Sequence, residues 1–582
     1  MNAGDGRRDD ASEIPPARSN AIVGALTAAL IVAAFLALGW RNSLPRSSFL
    51  YPNCTWENHV VSAIASFCFH GLAATHFLPD VCPPGDYRPG PCLYTHIPPF
   101  SEVFFGALHL LGVSSLHGLR WFSIALNVAA LAVLFQAMAL LKNRVFGLLM
   151  VAAILANPHF WMRAHGIYEY AFQLPHQSLL LLGLAMYAKN RSRWGVAAAF
   201  AGAFWQGTCA FVYQIATVFI ILGFLLSDNR DKWRGYFLAA LGGPAAFLAH
   251  FLQLVSLGSF AAAVHDLSSS FIERSAMLGD TVELVHYPTY GIYLARAAHV
   301  LSRDAGFGGW FFLPSALTIG LLALAAAQKQ EVANRAAFIR GVFLFAGSLL
   351  WCLVMRDAFL HDPITFIQQL SLWVALSLAV PVYACGALVK KAWAGDRGAA
   401  PAAVAVGLAA AALCWLSAGD LRQYWESERA LLTAPLETAG GMAESLMAVA
   451  SAPGMIGVDY LALFNPAKGE KDKFRRRICT DADPPECRNP TVGLKFTYWK
   501  EVRPQRLALD FFCARPGDTR VAFYRIENTG KRGALLGETT AAGFANGVID
   551  LPLPTPAAGR LFELEIGPAA CEAFIIEKMT LE

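Results

Sequence analysis

Long runs of apolar residues, separated by short polar segments, extend over the first 420 residues of the chain. Eleven of these runs are candidate membrane-spanning helices, and the first, residues 21–40, is about long enough to cross a hydrocarbon layer of ~30 Å as a helix. They occupy residues 21–40, 119–141, 146–160, 173–188, 194–208, 211–227, 235–258, 309–327, 338–355, 365–389 and 399–418. The pattern predicts a mainly α, polytopic membrane protein with about eleven transmembrane helices.

The composition agrees with this class. Of 582 residues, 56% are hydrophobic and only 15% are charged, and the mean hydropathy is +0.44. The net charge of +4 falls mainly in short loops, as membrane orientation requires. This distribution gives no reason to expect a nucleic-acid partner.

Basic residues between the runs predict the orientation. Arg7, Arg8 and Arg18 place the start of the first helix in the cytoplasm. Five later basic clusters also lie on the cytoplasmic side, provided that residues 98–113 do not form a crossing; they are at 142–144, 189–194, 228–234, 328–335 and 390–397. Because the run 98–113 is short, we expect an interfacial or re-entrant helix on the outer surface.

This register divides the chain into a cytoplasmic N-terminal tail (1–20), a transmembrane domain (21–419) and an extracytoplasmic C-terminal domain (420–582). Four outer loops are predicted, at residues 41–118, 161–172, 259–308 and 356–363. Function concentrates in long ordered loops, so we expect the active site on this outer face of the cell (inner) membrane.

The C-terminal domain is predicted to be β-rich from about residue 490. Short β-branched or aromatic segments there alternate with Gly, Pro, Asn and Asp, which is typical of a β-sandwich or jelly roll. Its four cysteines favour two disulfides in an oxidising compartment, Cys479 with Cys487 and Cys513 with Cys571. Free buried thiols are the alternative.

Two outer-loop glutamates are candidate general bases. Glu57 follows the first helix by seventeen residues, close to the expected headgroup plane. Glu169 lies between two tyrosines, Tyr168 and Tyr170, and His165 is nearby; aromatic rings around an acid favour sugar stacking or a raised carboxyl pKa. The alternatives are a solvated loop acid for Glu57 and an interfacial aromatic belt for the tyrosines.

Later outer loops carry cationic and imidazole side chains that could hold a phosphate or pyrophosphate. Ordinary interfacial anchoring explains any one of them equally well. The candidates are Arg274, His286, Arg296, Arg303 and His361.

One ordered set of motifs resembles a known family. An acid in the first outer loop is followed by "YTHIPPF", an apolar helix and an arginine that opens the next membrane helix; the residues are Glu57, Tyr94, Pro98, Pro99 and Arg120. This order is similar to the PMT-like branch of the GT-C glycosyltransferases, which includes protein O-mannosyltransferases and lipid A aminoarabinose transferases. The likeness covers residues 20–260 and, more loosely, continues to 390. Many of these relatives have Asp-Glu where this chain has Trp56-Glu57.

The resemblance implies an inverting glycosyltransferase that takes a sugar from a polyprenyl-phosphate donor and passes it to a glycan, lipid or protein acceptor. Tyr94 and His96 would line the site, held there by the Pro-Pro pair. No cofactor is certain and a divalent metal stays open, while the lack of a Gly-rich phosphate loop in the sequence argues against a nucleotide donor. The alternative function is a lipid-glycan transporter or a non-catalytic glycan-binding subunit. The apolar runs hold few charges, and this favours the enzyme.

Overall fold

The computed structural model describes most of the membrane domain and the strands of the tail. The described residues are 16–43, 60, 63–64, 67, 72–73, 75–79, 93, 95, 97–113, 116–210, 213–275, 290–327, 332–356, 359, 368–433, 455–459, 463–464, 471–472, 492–513, 519–527, 532–541, 546–553, 558–567 and 574–581.

Helices dominate the first 433 residues. In chain order they are α1 Pro16–Ser43, α2 Phe100–Leu110, α3 Leu116–Leu141, α4 Arg144–Leu155, α5 Pro158–Arg163, α6 Gln173–Asn190, α7 Arg193–Cys209, α8 Gln214–Ser227, α9 Trp233–Ala240, α10 Gly242–Leu257, α11 Phe260–Ser275, α12 Tyr290–Asp304, α13 Phe312–Ala327, α14 Val332–Val354, α15 Ser371–Trp393 and α16 Ala399–Thr433.

Every predicted apolar run coincides with a helix or a helix pair, but fewer than eleven meet the length and composition of a membrane span. Within the described residues, six helical segments do so: Ser19–Ser43, His117–Leu141, Arg230–Leu257, Val332–Val354, Ser371–Trp393 and Ala399–Ser427. They make the chain a multi-pass membrane protein by length and composition. Shorter apolar helices, such as α4 and α8, account for part of the difference, and the count of eleven spans stays a prediction.

Polar contacts tie the helix ends together at two opposite poles. At one pole the Asn42 side chain, at the end of α1, donates to the backbone oxygen of His117 at the start of α3 (3.2 Å). At the other pole Arg144, at the start of α4, donates to the backbone oxygen of Asn20 near the start of α1 (3.4 Å). The first outer loop therefore begins at one end of the bundle, and the first basic cluster (142–144) lies at the other end, as predicted for opposite sides of the membrane. Which pole faces outward stays a prediction.

Helices α6 and α7 form a tightly packed antiparallel hairpin, and glycines lie where their backbones approach each other. A Cβ atom added at Gly183 would lie 2.3 Å from the amide nitrogen of Ala199 and 2.6 Å from the carbonyl oxygen of Gly195. Only glycine allows this separation, and small residues are what close packing of membrane helices requires. The hairpin fixes the position of the segment that precedes α6.

The predicted outer loop 259–308 is not irregular throughout, because it contains α11 and α12. In α12 the buried residues Tyr293, Ala297, Val300 and Leu301 recur at helical spacing, so one face packs against the protein. The periodicity was available in the sequence, but the segment lacks the overall hydropathy of a span.

The predicted domain boundary at residue 420 falls inside α16, which continues to Thr433. Its polar last turns remain helical, and Arg422 and Glu426 form an ion pair there (2.7 Å) at i,i+4 spacing. Asp420 also accepts hydrogen bonds from the backbone N–H of Gly308 (3.0 and 3.1 Å), which holds α16 to the turn after α12.

The tail is β-rich, as predicted. Its strands are β1 Met455–Asp459, β2 Leu463–Phe464, β3 Lys471–Asp472, β4 Val492–Val502, β5 Arg506–Cys513, β6 Thr519–Ile526, β7 Arg532–Ala541, β8 Asn546–Pro552, β9 Gly559–Gly567 and β10 Phe574–Leu581. Strand pairing begins before residue 490, because β1 pairs antiparallel with β4.

The strands form a five-stranded sheet in the order β1-β4-β9-β6-β7, a three-stranded sheet in the order β10-β5-β8 and a β2-β3 pair. All of the strand pairings among the described residues are antiparallel. Two separate antiparallel sheets are compatible with a sandwich, but a sandwich or jelly roll stays a prediction.

The predicted disulfides are not supported. Cys513 ends β5 opposite Phe574, whereas Cys479, Cys487 and Cys571 lie outside the described residues. In the part of the chain that the structure describes, the cysteines with placed side chains are free thiols, namely Cys209, Cys352, Cys385 and Cys414.

Candidate functional site

The site is built around the second predicted outer loop, between α5 and α6. Here the chain turns at residues 164–168 and forms a single 3-10 turn, Glu169–Phe172, that leads directly into α6. Tyr168 and Tyr170 are buried within the protein. They are therefore not part of an exposed interfacial belt.

Glu169 is a buried carboxyl group with spare hydrogen-bonding capacity. The residue is only 3% exposed, and its Oε1 atom accepts no hydrogen bond. Burial, reinforced by the nearby Glu102 carboxyl, raises the pKa of Glu169 to about 8. A proton on this group can therefore be exchanged close to neutral pH, which a general acid or base requires.

Helix α2 brings Glu102 close to Glu169. Its residues Phe100, Phe104 and Phe105 surround the Phe172 ring, with centroid separations of 5.3, 5.5 and 5.6 Å. This aromatic cluster packs α2 against the 3-10 turn and buries Glu102.

Burial raises the pKa of Glu102, even though the Ser101 hydroxyl donates to its Oε2 atom (2.7 Å). The site therefore holds two neighbouring carboxyl groups, on Glu102 and Glu169. Two such groups disfavour simultaneous ionisation.

Arg163, at the end of α5, provides positive charge beside Glu169. Its guanidinium lies over the rings of Tyr168 and Tyr170, 5.4 and 5.9 Å from their centroids. Its Nη1 atom also donates to the Tyr168 hydroxyl (3.2 Å). These contacts hold the guanidinium in a fixed orientation.

His165 lies near two further buried arginines, Arg41 at the end of α1 and Arg120 in α3. Burial, together with the charges of Arg41 and Arg120, holds the pKa of His165 well below its usual range. The imidazole is therefore neutral at physiological pH. Three segments distant in sequence thus bring arginine side chains to one pole of the bundle.

The first outer loop is attached to this pole at Thr95. The Nε2 atom of His250 donates to the backbone oxygen of Thr95 (3.0 Å), and the Thr95 hydroxyl donates to Asp266 (3.0 Å). Thr95 is flanked in sequence by the predicted site residues Tyr94 and His96. Helices α10 and α11 therefore fix the position of Thr95.

The structure brings together Glu169, His165, Tyr168 and Arg120 among the residues singled out from the sequence. Arg296 and Arg303 are exposed on α12, and Arg303 pairs with Asp304 (2.6 Å). The remaining candidates lie outside the described residues or, for Arg274, have a side chain that is not described; they are Glu57, Tyr94, His96, Arg274, His286 and His361. Their roles stay predictions.

Sequence reasoning missed Glu102, Arg41 and Arg163. A glutamate or arginine at the edge of an apolar helix is an unusual residue to bury, and this was the available signal. In the described residues no group of three or more His, Cys, Asp and Glu side chains could hold a metal ion.

No protein-family model and no curated protein match the chain. Several solved structures resemble it at low identity. An Archaeoglobus fulgidus oligosaccharyltransferase in complex with Zn and sulfate is 17% identical, with a TM-score of 0.39, over 67% of this chain and 52% of the other. The archaeal oligosaccharyltransferase AglB from A. fulgidus, with an inhibitory peptide and a dolichol-phosphate, is 13% identical (TM-score 0.38, 67% and 56% covered).

ArnT from Cupriavidus metallidurans bound to undecaprenyl phosphate is 15% identical, with a TM-score of 0.41, over 70% of this chain and 76% of the other. The chain covers about two thirds of its own length in each of these comparisons. It spans about half the length of the A. fulgidus structures that it matches.

Proposed function

We propose that the chain is an integral-membrane glycosyltransferase of the inner membrane. It transfers a sugar from a polyprenyl-phosphate donor to an acceptor hydroxyl or amine on the extracytoplasmic face. The donor class comes from the motif order around Tyr94, Pro98, Pro99 and Arg120. The observation that carries the catalytic proposal is Glu169, a buried carboxyl with an oxygen that accepts no hydrogen bond, beside a fixed guanidinium.

In this mechanism a carboxylate removes the proton from the acceptor. The acceptor oxygen or nitrogen forms a bond to the anomeric carbon while the bond from that carbon to the donor phosphate oxygen breaks. The polyprenyl phosphate leaves with the electron pair, and the anomeric centre is inverted. Glu169 and Glu57 are the two candidate bases, because each belongs to a predicted outer loop.

The arginines have a separate role. Negative charge develops on the phosphate as the glycosidic bond breaks, and preorganised guanidinium groups stabilise it. Arg163 is held over two tyrosine rings, and Arg41 and Arg120 are fully buried, so little reorganisation is needed when that charge appears. A neutral His165 can orient a phosphate or sugar oxygen without adding charge.

The test uses purified full-length protein in nanodiscs, labelled polyprenyl-phosphate sugars and a panel of acceptors. We expect the wild type to transfer label, and Glu169→Gln to reduce turnover by roughly 10²-fold while donor binding survives. Glu57→Gln, measured in parallel, identifies which glutamate is the base. If both variants keep wild-type turnover, the carboxylate mechanism is wrong. A wild type that binds the lipid and transfers nothing supports the glycan-binding or transport function instead.

A further inference from the structure

Helix α5 carries Arg163, whose guanidinium lies beside Glu169, yet this helix is very short. It contains only six residues, Pro158–Arg163, and a helix of this length is not stable on its own. Its position therefore depends on contacts with other parts of the bundle. Among these are the end of α12, the turn after α12 and the last part of α16, all of which are distant from α5 in sequence.

Two contacts attach α5 to α12 and α16. The Nε2 atom of His159 donates to the backbone oxygen of Asp304, the last residue of α12 (2.8 Å). The Trp161 ring packs edge-on against the Trp425 ring of α16, with centroids 5.3 Å apart. Trp161 is buried, and its Nε1 atom donates to the backbone oxygen of Leu155 (2.8 Å). Its ring cannot turn away from Trp425 without losing this buried hydrogen bond.

The turn after Asp304 has an unfavourable backbone conformation. Four consecutive residues, 306–309, have positive φ angles of 118°, 61°, 58° and 90°. One of them is Phe307, and residues with bulky side chains rarely adopt this left-handed conformation. Such a conformation persists only where the surrounding structure holds it.

Asp420 of α16 holds this turn. Its two carboxylate oxygens accept hydrogen bonds from the backbone N–H of Gly308, at 3.0 and 3.1 Å. Asp420 and Phe307 also line one small cavity together with Asn157, the N-cap residue of α5. Helix α16 thus contacts α5 directly through Trp425, and it supports the turn against the start of α5 through Asp420.

We propose that Asp420 and Trp425 are positioning residues, which hold α5 and thereby keep the Arg163 guanidinium beside Glu169. Both residues act through α5 and not by contact with the donor or the acceptor. The inference deepens the proposed function and rests on it for the role of Glu169 as a base. It gives the polar end of α16, beyond the last apolar run of the sequence, a part in arranging the site.

The pKa of the Glu169 carboxyl reports the position of Arg163. Burial and the Glu102 carboxyl raise this pKa, and the guanidinium lowers it. Tyr170 and Cys209 also lie close to the carboxyl. Loss of the positive charge from this place should therefore raise the pKa of Glu169, because a nearby cation favours the ionised carboxylate.

The test follows the infrared C=O band of the protonated Glu169 carboxyl during a pH titration of the purified full-length protein. The band is assigned by its loss in Glu169→Gln, and Arg163→Gln gives the shift expected when the guanidinium is absent. We expect Trp425→Leu and Asp420→Ala each to raise the apparent pKa in the same direction, by at least about half of the Arg163→Gln shift.

Matched controls come from the same helix. Trp415 is 80% exposed, and Glu426 belongs to the exposed ion pair with Arg422, so Trp415→Leu and Glu426→Gln should leave the titration unchanged. Trp425→Phe retains an aromatic ring and Asp420→Asn retains an acceptor oxygen. Both of these conservative variants should recover part of the wild-type titration.

The double variant Arg163→Gln/Trp425→Leu should titrate like Arg163→Gln alone, because Trp425 acts through that guanidinium. The proposal is overturned if the double variant shows a further rise, if Arg163→Gln does not raise the pKa, or if Trp425→Leu and Asp420→Ala both titrate like the wild type. If one of these two variants fails to fold, the other decides. The titration needs neither donor nor acceptor. Sugar transfer without these shifts would therefore contradict only this inference, and the shifts without sugar transfer would contradict only the proposed function.

Discussion

The imidazole of His250 donates to the backbone oxygen of Thr95 across 155 residues of sequence, at a distance of 3.0 Å. Next to it, the Gln253 side chain donates to the backbone oxygen of His76 (2.7 Å). Two side chains of α10 thus bind backbone carbonyls of the first outer loop. This helix thereby fixes two backbone positions, Thr95 and His76, of the predicted first outer loop.

His250 is therefore expected to act as a positioning residue. His250→Leu removes the donor to Thr95 and lets the backbone move at Thr95, which is next in sequence to the predicted site residues Tyr94 and His96. A displacement of about 1 Å at a reacting centre can cost up to about 10²-fold in rate, so we expect kcat to fall by roughly 10-fold or more. His250→Gln, which retains a donor, should recover part of the rate. Steady-state kinetics and thermal unfolding of both variants are the measurement.

The control for this prediction is His265→Ala, because His265 is an exposed histidine of α11. It should leave kcat and the unfolding temperature unchanged. If His250→Leu lowers the unfolding temperature but leaves kcat intact, the hydrogen bond stabilises the fold without positioning the site.

The pH dependence of transfer should report the ionisation of Glu169. Burial and the neighbouring Glu102 raise the pKa of this carboxyl to about 8, so it is mostly protonated below that pH. A general base must be deprotonated, and kcat/KM should therefore rise about tenfold per pH unit up to about pH 8 and level off above it. A hydroxyl acceptor is used, since it does not titrate in this range. A flat profile from pH 6 to 9 would exclude Glu169 as the base.

Removing the neighbouring carboxyl should shift that profile. Glu102→Gln keeps the size and hydrogen bonding of the side chain but cannot ionise, so it no longer opposes ionisation of Glu169. The pKa of Glu169 should fall, and the midpoint of the pH–rate profile should move to lower pH. Glu538→Gln, in the exposed ion pair with Arg520, is the matched control and should leave the midpoint unchanged. A shift of the midpoint to higher pH would show that the Glu102 carboxyl does not raise the pKa of Glu169.

The apolar runs predicted the helices because a chain in hydrocarbon must satisfy its backbone hydrogen bonds internally. Glu169 was also accessible from the sequence, since an acid between two tyrosines is unusual. The proximity of Glu102 to Glu169 was not accessible, because it depends on α2 packing around Phe172. Likewise, the grouping of Arg41, Arg120 and His165 depends on contacts between α1, α3 and the turn after α5. Local sequence patterns do not predict contacts between segments that are distant in sequence.

The α6–α7 hairpin provides a test of the packing that supports the site. A side chain at Gly183 would overlap the backbone of α7, where an added Cβ would lie 2.3 Å from the amide nitrogen of Ala199. Gly183→Leu should therefore separate the helices and destabilise the protein by about 3 kcal/mol or more, the upper range for overpacking. Thermal unfolding in detergent and transfer activity should both decrease, because the turn containing Glu169 leads directly into α6.

Gly320→Leu is the matched control for this substitution. Gly320 also lies in an apolar helix, α13, but an added Cβ there meets no atom within 4 Å among the described residues. It should leave the unfolding temperature unchanged or raise it slightly, since replacing glycine inside a helix removes its entropic cost. If Gly183→Leu is tolerated as well as Gly320→Leu, the close approach of α6 and α7 is wrong, and the position of Glu169 at the start of α6 has to be revised with it.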